Sequence, residues 1–142
     1  MSGVTELATA ARSGRPNDRL VAPPGHCRNA VPDQAAPVYA ATPERLIAVV
    51  DQVAAAEPRT RETARTPRAR QFVQVSRVFR FPDDITVEAL PCDAGATLAI
   101  WSRARYGYAD FGVNRARVDR WLAAIGAALD RPQEPDPSTR DE

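Results

Sequence analysis

Apolar positions along this chain fall into two kinds of periodic run, separated by stretches rich in proline, glycine and arginine. Leu46, Val50, Val53 and Ala54 recur at helical spacing, with Ile47 at the edge of their stripe and Arg45, Asp51 and Gln52 outside it. Thr42 offers a capping oxygen, Pro43 suits the first helical position, and Glu44 complements the positive end of the helix dipole. The pattern therefore predicts a helix over 43–56, closed by Pro58. Val118, Trp121, Leu122, Ile125 and Leu129 repeat the stripe further on. Asn114 reads as the cap of this second helix, Val113 and Val118 have the spacing of a hydrophobic staple, and Arg131-Pro132 ends it.

Between the two helices the period drops to two. Val73, Val75, Phe79 and Phe81 share one face of a predicted strand over 70–81, with Phe72 and Val78 on the other. Pro82-Asp83-Asp84 reads as a turn, 85–90 as a strand, 91–95 as a hairpin connection and 97–105 as the last strand. The threonines at 60, 63 and 66 suggest a strand at 60–65, and Val38-Tyr39-Ala40 a short edge strand. Residues 21–43 otherwise read as loop, because their many prolines cannot donate to a ladder. Short connections make the strands antiparallel neighbours. The expected fold is α+β, a two-layer sandwich in which a three- to five-stranded antiparallel sheet carries two amphipathic helices on one face. The other face, with Trp101, Phe72 and several arginines, is expected to be partly open. Residues 1–21 read as a weakly ordered tail, 22–130 as a single domain, and 131–142 as an acidic, Pro-rich C-terminal tail.

Composition narrows the function classes. Among 142 residues there are 19 basic side chains, every one of them Arg, and 18 acidic ones, for a net charge of +1. No global field draws such a chain to nucleic acid, and none is expected as a partner. Arginine suits bidentate contacts with carboxylate and phosphate, although a Lys-free, Ala-rich chain also follows from codon bias in a GC-rich, bacterial-like genome. No run approaches the roughly 20 apolar residues of a membrane span, and the start lacks the pattern of a signal peptide. The expected setting is cytoplasmic, with Cys27 and Cys92 as free thiols. His26, Cys27 and Cys92 are too few to close a structural zinc site, so no metal and no cofactor is expected.

The densest chemistry lies between Trp101 and Arg115. Gly107 and Gly112 permit backbone shapes that a side chain would forbid, and the loop feeds a helix N-terminus with unpaired N–H groups. Arg103, Arg105 and Arg115, with Asp110 and Asn114, can be read as a carboxylate or phosphate site. They can equally be structural, Asp110 pairing with Arg105 or Arg115 while Asn114 caps the helix. Asp83 and Asp84 could bind a hard cation or divide acid and base roles, or simply form a turn. The arginines between Arg59 and Arg70 could touch phosphates, or line a solvated strand face.

The run Arg105-Tyr-Gly-Tyr-Ala-Asp-Phe-Gly-Val-Asn114-Arg115 resembles the C-terminal signature of the domain of unknown function 1499 family. Phe81-Pro82-Asp83-Asp84-Ile85 is similar to that family's Phe-x-Asp-Asp motif, and Cys27 falls where its Asn-Cys-Val motif would lie. The resemblance runs from about residue 22 to 128 and matches at Asp83, Asp84, Arg105, Gly107, Asp110, Gly112, Asn114 and Arg115. The chain departs from the pattern at Trp101, Ala104 and Ala109, where Arg, Ser and Ser are expected, and around Cys27, which His26 and Arg28 flank. The family implies no activity. The residues then favour a noncatalytic binding or accessory module for a protein partner or small anionic ligand. The alternative is a small enzyme using Asp83, Asp84 or Asp110 with Arg105.

Overall fold

The structure, a computed structural model, describes residues 3–131; the C-terminal tail expected at 131–142 lies outside the described residues except for Arg131. The elements run β1 (Asp18–Ala22), β2 (Gln34–Ala35), β3 (Val38–Tyr39), α1 (Pro43–Ala56), β4 (Thr60–Thr66), β5 (Ala69–Val75), β6 (Pro82–Cys92), β7 (Gly95–Ala104) and α2 (Val113–Asp130). Seven strands form one sheet in the order β2-β1-β7-β6-β5-β4, with β3 also pairing with β7. The sheet is mixed, because β1 and β2 run parallel. This corrects the expected three- to five-stranded antiparallel sheet. The additional strands, β1 and β2, are five and two residues long and sit among prolines, where they carry too little periodicity to be read. Antiparallel pairing with β7, far along the chain, is what holds β1 and β3 in place.

Both helices lie against one face. Leu46, Val50 and Val53 of α1 and Val118, Trp121 and Ile125 of α2 bury against Phe72, Ile85, Val87, Leu98 and Ile100 of the sheet. Phe72 meets Trp121 edge to face at 5.6 Å. Phe72 thus belongs to the helix face and not to an open one. The expected phase of β5 is inverted because its helix-facing neighbours are polar: Arg70 reaches Asp51 of α1, and Gln74 reaches Arg117 of α2. The strand ends at Val75, so Phe79 and Phe81 lie beyond it, in the turn to β6.

The outer face is not open around Trp101 either. Leu7, Leu20, Ala22, Cys27, Ala99 and Trp101 form a second buried cluster beneath the N-terminal residues. Leu7 is 1% exposed. The arm is stitched down by Thr5 N–H to Gln71 (2.9 Å), Leu7 N–H to Glu88 (3.0 Å) and Arg28 N–H to the Ala8 carbonyl (2.9 Å). Arg12 clamps Asp18 (2.8 Å) and Asp33 (2.7 Å). Burial works against the Asp18 carboxylate, yet Arg12 and the Trp101 indole, 2.7 Å away, hold it below the usual range. Where a tail was expected, residues 3–21 supply most of β1 and the buried side chains of Leu7, Leu20 and Val21. At the far hairpin, Gly95 (φ +138°) lets β7 start against the backbone of 39–41, since a Cβ there would stand 2.4 Å from the Tyr39 carbonyl oxygen.

Candidate functional site

Strand register decides which side chains share the outer face near the start of β6. Arg61 of β4 pairs with Val73, Val73 with Asp84, Asp84 with Arg103, and Arg103 with Asp18, so these five stand in one row across the sheet. The next row outward holds Arg59, Val75, Pro82 and Arg105, joined by Val75 N–H to Arg59 (3.0 Å), the Val75–Pro82 pair and Arg105 N–H to Pro82 (3.1 Å). The N-terminal arm stops short of both rows at their β4–β6 end. What it leaves is a shallow dish of about 430 Å³ lined by Arg59, Thr60, Arg61, Val73, Val75, Arg80, Pro82 and Arg105.

Four guanidiniums therefore face a floor of two valines and a proline. Arg105 is the one among them with a carboxylate partner among the described residues, gripping Asp84 through Nε (3.1 Å) and a terminal nitrogen (2.7 Å). Arg59 donates its Nε–H to the Val75 carbonyl (2.9 Å), which fixes the side chain without neutralising its charge. Arg59 (φ 53°) and Arg80 (φ 60°) are also left-handed, as is Phe111 (φ 53°), a conformation uncommon for residues with a side chain and concentrated at functional sites. Beside the dish, sharing Arg105, is a second hollow of about 360 Å³ lined by Arg15, Asn17, Asp18, Asp84, Trp101 and Arg103 among others. Arg103 lies over the Trp101 ring at 4.0 Å and donates to Thr86 and the Trp101 carbonyl, both at 3.2 Å. Burial pulls its guanidinium below the ordinary arginine value.

The residues singled out from the sequence divide into three groups. Arg103, Arg105, Trp101, Asp84 and Gly107 line the two hollows. Asp110, Asn114, Asp83 and Gly112 build the junction behind them. Among the described residues Asp110 touches no guanidinium; it accepts from the backbone N–H of Gly112 (2.9 Å) and Asn114 (3.1 Å) and from the Asn114 amide (2.7 Å). Gly112 (φ +84°) is the N-cap position, so Asn114 lies inside the helix, fully buried, rather than at its cap. Arg115 stands apart, in a hollow with Arg19, Asp33 and Asp110.

Asn114 belongs to a buried polar network that the helical pattern conceals. Arg117, outside the apolar stripe of α2, is 6% exposed. It donates to Asp83 (2.8 Å), Gln74 (2.6 Å), Ser102 (3.1 Å) and Asn114 (2.7 Å). Asn114 in turn accepts from Ser102 (2.6 Å) and donates to the Asn17 carbonyl (3.1 Å). Burial keeps the Asp83 carboxyl above the usual range even with Arg117 beside it. Asp83 and Asp84 are not turn residues but consecutive positions of β6, so they point to opposite faces of the sheet.

The remaining reactive groups lie elsewhere. His26 bonds Glu88 at 2.8 Å near the opposite end of the sheet. Cys27 is buried under the arm, its thiol pushed up by burial and by Glu88. Among the described residues no three His, Cys, Asp or Glu side chains cluster to hold a metal ion. No helix there is long and apolar enough to cross a membrane.

Comparison with known proteins agrees with the motif resemblance and carries it further toward the N-terminus. No curated protein matches the chain. The solved crystal structure of protein CV1439 from Chromobacterium violaceum is 14% identical over 85% of this chain and 100% of its own, with a TM-score of 0.42, too remote a likeness to inform fold or site. The family model described as "Protein of unknown function (DUF1499)" matches residues 11–125, a span that takes in the clamp of Arg12 on Asp18, the dish, the Asp110–Asn114 junction and the Arg117 network. The chain belongs to that family.

Proposed function

We propose that the protein is a noncatalytic binding module that holds a small anionic ligand, carrying phosphate or carboxylate groups, in the arginine dish. The observation that supports this reading is the charge imbalance there: Arg59, Arg61, Arg80 and Arg105 line one concavity, and among the described residues Asp84 is the one carboxylate paired with any of them. Guanidiniums at the surface repel one another, and their fork geometry matches oxyanions. An anion seated among them relieves the repulsion, while Val73, Val75 and Pro82 suit an apolar portion of the same molecule. The binding reading is favoured over the enzyme reading by the placement of the aspartates. Asp83 faces Arg117 behind the sheet, Asp84 faces Arg105 in front, and Asp110 faces the first amides of α2, so no two share a substrate position.

Titration calorimetry with inorganic pyrophosphate tests the proposal. The Arg61→Gln/Arg80→Gln variant is expected to bind about tenfold or more weakly than the natural protein, with an unchanged melting temperature, since neither side chain has an ion-pair partner among the described residues to lose. Arg115→Gln is expected to bind as the natural protein does. Equal affinity in all three proteins overturns the assignment.

A further inference from the structure

The dish opens at one end of the sheet, and that end has a second property. Of the nine large hydrophobic side chains exposed on the described surface, six lie on two loops there and a seventh, Val113, opens α2. The β5–β6 turn presents Val78, Phe79 and Phe81, and the β7–α2 loop presents Tyr106, Tyr108 and Phe111, with Val113 just behind them. Scattered exposed apolar residues are ordinary; seven gathered at one end are not. The two loops are neighbours, joined where Arg105 N–H meets the Pro82 carbonyl. Phe79 and Phe81 stack at 5.7 Å and 17°, so they form one blade. Ser76 holds the blade's base, its hydroxyl accepting from Phe81 N–H (2.9 Å) while its own N–H donates to the Phe81 carbonyl (2.9 Å).

Charge selects the partner. Arg77 and Arg80 interleave with the apolar residues of the turn, which has no acidic residue between Ser76 and Phe81. Arg59 and Arg61 stand beside it, and the Asp110 carboxylate of the other loop is consumed by backbone amides. Projecting aromatic tips ringed by arginine match the interface of an anionic bilayer, where rings settle at headgroup depth and guanidiniums meet phosphates.

We propose that this end of the molecule docks on anionic phospholipid membranes, the Phe79–Phe81 blade entering the interface and the dish facing headgroup phosphates. The headgroup contact rests on the anion-binding reading of the dish; the apolar insertion does not. Sedimentation of the full chain with vesicles tests it, comparing phosphatidylglycerol mixed into phosphatidylcholine with phosphatidylcholine alone. The natural protein is expected to co-sediment with the first and not the second. Phe79→Ser/Phe81→Ser is expected to lose about tenfold or more of that binding while still binding pyrophosphate. A protein that binds pyrophosphate but neither vesicle, or a serine variant that sediments as the natural protein does, overturns membrane docking and leaves the dish standing. Association of the end with a second copy, seen as a dimer in solution with no vesicle binding, overturns it too.

Discussion

Replacing Arg117 with methionine is expected to cost about 3–5 kcal/mol of folding stability at neutral pH, measured by urea unfolding. The guanidinium is buried and makes four hydrogen bonds, to β5, β6, β7 and its own helix. A methionine fills much of its volume but leaves the Asp83 carboxylate, 9% exposed, without a counter-charge. The sign of the pH dependence follows. Burial already raises Asp83 in the natural protein, and removing Arg117 raises it further. A carboxyl raised on folding is tolerated when protonated and penalised when ionised. The loss is therefore smallest below the unfolded-state value near pH 4 and grows as pH rises through the folded value. Asp83→Asn combined with Arg117→Met is expected to recover part of the loss, because a neutral amide costs less to bury.

Leu7→Ala is expected to cost about 2–4 kcal/mol. Its side chain is 1% exposed, lying among Leu20, Ala22, Cys27, Ala99 and Trp101. Loss of its volume loosens the arm from the outer face and exposes Trp101, so tryptophan fluorescence should shift to the red as stability falls. A change below about 0.5 kcal/mol would mean that the first residues behave as a tail.

How much of this was legible from sequence follows the range of the interactions. Helix α1 was readable to its ends because its signals are local: Thr42 caps Arg45 N–H at 3.0 Å, and Pro43 opens the first turn. The body of α2 was equally readable from Val118, Trp121 and Ile125, but its start was not. Asp110 reaches across a left-handed Phe111 and Gly112 to accept from the Asn114 N–H, and Asn114 is drawn inward by Ser102 and Arg117. The turn expected at Asp83 is a strand because Asp83 finds a partner 34 residues later, a pairing no local pattern announces. Phe79 and Phe81 continue the alternation of β5 and so read as core; in the structure they are 74% and 59% exposed.

The site was half legible. Arg103 and Arg105 drew notice because they precede a glycine-bearing loop, and they do line hollows. Arg59 and Arg61 read only as arginines that could touch phosphates or line a solvated strand face, and Arg80 drew no notice, because what gathers the three is strand register. A two-residue alternation on β4 becomes a site only once Arg61 lies opposite Val73, and Val73 opposite Asp84.

The most direct test of the central claim is an amide NMR titration of the natural protein with inorganic pyrophosphate. Shifts are expected at Arg59, Arg61, Val73, Val75, Arg80 and Arg105, and not along residues 111–115. Shifts centred on the start of α2, or spread evenly over the surface, would contradict the account.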